Sequence, residues 1–199
     1  HRLNVLGYLD LSPFGEKYQD SANAGNLDLI AALEWIRDNI EGFGGDPENV
    51  TLFGQSGGGV KVWSLLQMPE ADGLFHKGII ESGVVDPDLL GDTEDGNGRE
   101  IVKAMLAELG LEEKDVDQLE TLPYDQLAQA YENAAPKVAQ KGEYVGNHPH
   151  KNQSYFGDAI KHGFREETKK IPLLIGTVLG EFDFGPAISG KYEFTKKEV

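Results

Sequence analysis

The sequence predicts an α/β protein: a mostly parallel sheet flanked by helices and interrupted by a helical insert. Three observations point there. Short apolar segments alternate with amphipathic stretches over the first third of the chain. A glycine-rich turn, Gly54 to Gly58, separates a strand-like tetrapeptide from a helical pattern. A second apolar run, Ile171 to Gly180, follows a long helical stretch. Strands and helices in alternation favour parallel pairing, because each crossover places its helix on a face of the sheet.

Taken in order, "NVLGYLDL" alternates around Val5, Leu6, Tyr8 and Leu9 and reads as a strand, followed by the turn-rich "SPFGEKYQDSANAG". From Asn26, apolar residues at Leu29, Leu33, Ile36 and Ile40 have helical spacing, with Asp28, Glu34, Arg37 and Asp38 on the opposite face. Val50 to Phe53 reads as a strand, Val60 to Met68 as a helix, and Gly78 to Ile80 as another strand. Helices are expected over Arg99 to Leu109, Lys114 to Glu120 and Asp125 to Ala135. The fully apolar "IPLLIGTVLG" reads as a return to a buried strand. The implied organisation is a core over residues 1–83, a helical insert over 84–170 and a return to the core sheet over 171–199, all within one domain. Trp35 and Trp63, on helices flanking the turn, are expected in the core.

Composition narrows the function classes. The 199 residues carry 18 Lys and Arg against 34 Asp and Glu, a net charge of −16 with a pI near 4.6. Nucleic acid is not the expected partner, because phosphate recognition needs clustered cations, and a neutral small molecule suits the charge better than an anion. There is no cysteine, so disulfides, thiolate metal sites and a cysteine nucleophile are excluded. No metal or other cofactor is implied. No apolar run reaches the length of a membrane span, and the N-terminus lacks a secretory-signal layout. The chain starts inside an apolar segment without an initiating methionine and reads as an internal section of a longer chain.

Chemistry is suggested by Gly54-Gln55-Ser56-Gly57-Gly58, a G-x-S-x-G pattern with a strand before it and a helix after it. Such a turn forces the serine into a strained backbone conformation, and glycines two before and two after, Gly54 and Gly58, let strand and helix approach. Ser56 is then a nucleophile lifted above the carboxyl end of the sheet, and the N–H of Gly57 is aimed at a developing oxyanion. The competing readings are a loop whose serine only caps a helix, and a phosphate-binding loop. The latter requires a Gly-Lys-Ser/Thr ending that Lys61 does not supply.

The run "GNLDLIAALEWIRDNIEGFGGDPENVTLFGQSGGG", with "GLFHKGIIESG" after it, resembles the type-B carboxylesterase family, the cholinesterase-like branch of the α/β-hydrolases. The similarity continues through "HRLNVLGYL", "LAELGL…LETLPYDQLAQAY" and "IPLLIGTVLGEF", and is weakest from Val138 to Thr168. It implies a partial α/β-hydrolase fold and a serine esterase acting on small neutral esters through an acyl-enzyme. It also implies Glu181, behind the late strand, as the acid, with Asp183 as the neighbouring error in register. Gln55 and Ser82 correspond to family positions close to the triad, and a packed polar role is equally open for both.

The base is the gap. Of five histidines, none follows Glu181. The family's catalytic histidine corresponds to a position beyond Val199, and its second oxyanion arm, a glycine loop, to one upstream of His1. An alternative triad would use Asp86 with His148, His150 or His162, while His76 is a family-typical structural position. A reading of another class, a non-catalytic cholinesterase-like interaction protein, is disfavoured by retention of Ser56. Substrate preference and oligomeric state are not legible.

Overall fold

In the structure, a computed structural model, residues 1–85, 96–146 and 148–181 are described. Three parallel strands, β1 (Thr51–Gln55), β2 (Lys77–Glu81) and β3 (Leu173–Gly176), lie in the order β1-β2-β3. Their register aligns Phe53 with Ile79 and Ile79 with Leu174. All three therefore present their carboxyl ends on one side, where Gln55 pairs with Glu81 and Glu81 with Gly176.

The first element corrects the sequence reading. "NVLGY" forms a short helix, α1 (Asn4–Tyr8), rather than a strand. Val5, Tyr8 and Leu9, all buried, are spaced i, i+3, i+4, which is the helical spacing, whereas strict alternation would put Tyr8 on the face opposite Val5 and Leu9. Helix α2 (Ala24–Asn39) buries Gly25, Asn26, Ile30 and Leu33. Asn26 ties three helices together: its Oδ1 accepts from the Tyr8 hydroxyl at 3.0 Å, and its Nδ2 donates to Ser64 Oγ at 2.9 Å. A buried amide satisfied on both sides fixes register where apolar packing alone would let helices slide.

Helix α3 (Gly57–Leu65) starts immediately after Ser56 and buries Val62, Trp63 and Leu65. Trp63 packs edge-on against Phe164 and donates its Nε1–H to Asp158 at 3.1 Å. Trp35 departs from the expected core placement: it is 53% exposed, and its ring lies 6.0 Å from the ring of exposed Phe43.

Helices α4 (Arg99–Glu108) and α5 (Tyr124–Ala139) and the 3-10 turns of Glu113–Glu120 follow β2, and α6 (Ala159–His162) precedes β3. Helix α5 runs one turn past the expected stop, through Pro136, because Val138 in that turn is buried. Two apolar clusters result. One joins Val5, Leu9 and Tyr18 to α4 and α5 through residues such as Met105 and Leu127. The other packs Ile30, Leu33, Val62, Leu66, Ile80, Tyr155 and Ala159 around the sheet.

The apolar run before Gly180 forms only a four-residue strand, and it is not buried as expected. Leu174 is 66% exposed and Phe53, two strands away in register, 78%. Helix α3 covers the face carrying Gly78 and Ile80, with Val62 against Gly78, and among the described residues the opposite face is uncovered. Among those residues no helix is long and apolar enough to cross a membrane.

Candidate active site

Ser56 lies between β1 and α3 with φ 52° and ψ −122°, a conformation side chains rarely adopt. Its N–H continues the parallel ladder by donating to Glu81 O at 2.8 Å, and its carbonyl accepts from Val60 N at 2.9 Å, closing the first turn of α3. The side chain is exposed and makes no capping bond. By helix geometry the N–H groups of Gly57, Gly58 and Gly59 have no partner inside α3, and they stand at its positive end beside the hydroxyl.

The glycines are placed differently from the motif's usual account. A Cβ on Gly54 would run into the backbone carbonyl of Gly58 and lie 2.7 Å from Gly59 N, so this position does require glycine. A Cβ on Gly58 would meet nothing within 4 Å. The second constrained residue is Gly59, whose Cβ would sit 2.9 Å from Gly83 Cα, while a Cβ on Gly83 would sit 2.5 Å from Gly59 Cα. Helix α3 thus rests backbone to backbone on the end of β2. Gly83 was not singled out by the motif, but "ESG" after β2 repeats "QSG" after β1 in register.

Ser82 occupies the equivalent turn on β2, with φ 51°, and its N–H donates to Gly176 O at 2.7 Å. Its hydroxyl hydrogen-bonds the carboxylate of Glu181, which also accepts from Val178 N at 2.9 Å through Oε1. These two donors, Ser82 first, hold the Glu181 carboxyl below the usual carboxylate range. Ser56 and the Glu181 loop stand at the carboxyl ends of strands separated by β2, about 10 Å apart at ordinary strand spacing. Gln55 is exposed at the strand end. Asp86 and Asp183 lie outside the described residues.

His76 is held at the other end of the sheet: its Nδ1 accepts from Val50 N at 3.2 Å, and its Nε2 is 3.8 Å from Glu48. Val50 precedes β1 and Ser56 follows it, a separation of about 20 Å. His150 places Nε2 at 3.0 Å from Gly96 O and its ring against Tyr144, which also lies near the His148 ring. His162 ends α6 beside Lys151, near the far end of α3 from Ser56.

Sequence reasoning gave Lys61 no role. Set among Val60, Val62 and Trp63 on α3, it is half-buried with Nζ 4.0 Å from the centre of the Tyr8 ring. Burial pushes its pKa down to about 8. A lone lysine inside an apolar helical run was the available signal.

The Carboxylesterase family model matches residues 1–198. The para-nitrobenzyl esterase of Bacillus subtilis (strain 168) is 38% identical over 191 residues, covering 91% of this chain and 36% of that protein. Among solved structures, an esterase from anaerobic Clostridium hathewayi, described as able to hydrolyse aliphatic aromatic polyesters, matches with a TM-score of 0.89 at 53% identity. The match covers 100% of this chain and 39% of that one. A thermophilic PNB esterase matches with a TM-score of 0.72 at 35% identity, over 100% of this chain and 38% of its own. The chain spans under two fifths of the length of each of these relatives.

Proposed function

We propose that this chain, which belongs to the carboxylesterase family, supplies the nucleophile and the acid of a serine carboxylesterase. Its parallel sheet and flanking helices are part of an α/β-hydrolase fold. The observation that carries the reading is the backbone of Ser56, held at φ 52° at the head of α3 although it is not glycine. Strain of this kind persists where the surroundings impose it, and it clusters at sites of chemistry.

In the proposed reaction Ser56 Oγ attacks the carbonyl carbon of a small neutral ester while a histidine takes its proton. The Gly57 N–H receives the oxyanion, a donor worth roughly 3 kcal/mol in the transition state. Collapse expels the alcohol, protonated by the same imidazole, and water then releases the acid from the acyl-enzyme. Glu181, ionised and anchored by Ser82 and Val178, orients the imidazole and stabilises its cationic form. The gap between the strand ends suits a bridging imidazole with one hydrogen bond on each side. We assign the base to a histidine outside these 199 residues, and the second oxyanion arm to a glycine loop upstream. Gln55 and Ser82 act beside the triad rather than on substrate.

The test is active-site labelling of the full-length enzyme with a fluorophosphonate, followed by peptide mass spectrometry and p-nitrophenyl acetate hydrolysis. One adduct, on the Ser56 peptide, with activity lost in proportion, is expected. An active enzyme labelled elsewhere, or fully active after Ser56→Ala, refutes the assignment. Short aryl diesters belong in the substrate panel, given the polyester activity ascribed to the Clostridium hathewayi esterase.

A further inference from the structure

The ester chemistry leaves one charge on α3 without a part. Lys61 is the lone cation in the run Val60-Lys61-Val62-Trp63. Its side chain is half-buried, and its Nζ, 4.0 Å from the centre of the Tyr8 ring, makes no ion pair or hydrogen bond among the described residues. A cation drawn out of water without an anionic partner is disfavoured, and a charge kept at such a cost is a candidate for function. What it can do follows from where α3 places it.

Gly57, whose N–H is the proposed oxyanion donor, and Lys61 are spaced i, i+4, so they lie on one face of the helix, one turn or about 5.4 Å apart. Long helical side chains lean toward the N-terminus, which carries Lys61 toward Gly57. Gly57 adds no side chain between them, and a Cβ there would meet nothing within 4 Å. Gly59, by contrast, rests against Gly83 at the end of β2. Lys61 is two residues further on, about 200° around the helix, and so faces away from β2 and from the Glu181 loop behind it. An ammonium there is closer to an oxyanion at Gly57 than to an imidazolium held by Glu181. Its field favours the negative end of the transition state more than it opposes the positive end.

Tyr8 seats the ammonium and is itself tied to α3: its hydroxyl donates to Asn26, whose Nδ2 donates to Ser64. Asp28, facing Tyr8 from α2, is paired with Arg2 and held by it below the usual carboxylate range. The Tyr8 hydroxyl is pushed up to about 12, by burial first and by Asp28 second. The loop at Gly146, against the Tyr8 carbonyl, brings Tyr144, His148 and His150. Burial pushes Lys61 itself down to about 8, so its charge is lost in the alkaline range.

We propose that Lys61 is a positioning residue of the ester site: seated on the Tyr8 ring one turn behind Gly57, its ammonium reinforces the positive end of α3 and stabilises the oxyanion. The helix end alone is equivalent to about half a charge, to which Lys61 adds a whole one. At roughly 10 Å, in a half-buried setting and with the opposing effect on the imidazolium subtracted, that charge changes the rate by about 5-fold. The proposal rests on the reading of Ser56 as the nucleophile.

The experiment is p-nitrophenyl acetate hydrolysis by the full-length enzyme, Lys61→Met and Lys61→Arg between about pH 7 and pH 10, with fluorophosphonate labelling of Ser56 in each. Lys61→Met is expected to lower kcat and kcat/KM together by about 5-fold at pH 7 with KM unchanged, although it is the more stable protein. Wild-type kcat is expected to fall toward the same level with a midpoint near the Lys61 pKa of about 8. Lys61→Arg, which keeps its charge, retains the rate across the range. An unchanged kcat in Lys61→Met at pH 7, an alkaline fall that persists in that variant, or a Lys61→Arg enzyme as slow as Lys61→Met overturns the proposal. An active enzyme that is not labelled at Ser56 overturns the nucleophile assignment itself, and the proposal with it.

Discussion

Replacing Ser56 by glycine should stabilise the fold relative to replacing it by alanine, the reverse of the usual order. At an unstrained position glycine costs about 0.5–1 kcal/mol more than alanine through unfolded-state entropy. At φ 52° and ψ −122°, however, any Cβ keeps the strain that glycine releases, of the order of 1–3 kcal/mol. The difference leaves glycine ahead by roughly 1 kcal/mol. Hydroxyl loss is common to both variants, and the Ser56 side chain makes no capping bond whose loss would confuse the comparison. Urea denaturation of both proteins reads the difference directly. Ala32→Gly, on the exposed face of α2, supplies the ordinary sign, a loss of about 1 kcal/mol. If Ser56→Gly falls below Ser56→Ala by a similar amount, the turn is not strained and the argument for an imposed nucleophile geometry fails.

Lys61→Met should raise stability by about 2 kcal/mol at pH 7. The shift from an ordinary 10.5 to about 8 is worth about 3 kcal/mol, and the lost contact with the Tyr8 ring returns about 1. Because the folded pKa lies below the unfolded one, the penalty on the wild type is full below about pH 8 and fades as pH climbs to 10.5, so the advantage must shrink over that window. Thermal unfolding of both proteins at pH 7 and above pH 10 tests it, and a constant difference refutes it. Ser82→Ala should move the Glu181 carboxyl titration upward, followed by carbon NMR, because the hydroxyl is the larger of the two donors holding it down. Glu181 would then protonate earlier as pH falls, whereas an unmoved titration denies the hydrogen bond.

The elbow was legible because its requirement is local: a strand, one non-glycine residue forced to positive φ, and a helix in immediate succession leave little besides glycine that fits around Ser56. Which glycines are compelled was not legible. That depends on where the end of β2 passes, and only the structure brings Gly83 against Gly59 while leaving Gly58 open. Helix α1 failed for want of length, since Val5 and Leu9 share a face in both periods and Tyr8 is the one residue that separates them. In β3 the apolar run was read as burial, yet parallel strands need cover on both faces. Leu174 and Phe53 lie on the face that the described residues leave bare. Lys61 failed differently: sequence can mark a cation in an apolar run, but not the ring that receives it.

Placement of the site depends on a tripeptide that carries none of the proposed chemistry. Glu81-Ser82-Gly83 receives the N–H of Ser56 on the Glu81 carbonyl, holds Glu181 by the Ser82 hydroxyl, and supports α3 by the contact of Gly83 with Gly59. A shift in β2 therefore moves the serine, the helix end behind it and the carboxylate together, so their mutual geometry survives distortions of the rest of the sheet. This explains why two adjacent strands both end on a serine at positive φ. The first such turn exposes a hydroxyl toward the space above the sheet, whereas the second turns its hydroxyl sideways to the acid. Strain at Ser82 serves no nucleophile and is sustained by the ladder bond from Ser82 N to Gly176 and by the α3 contact. Neighbours that bond and pack on both sides are what a strained turn requires in order to persist.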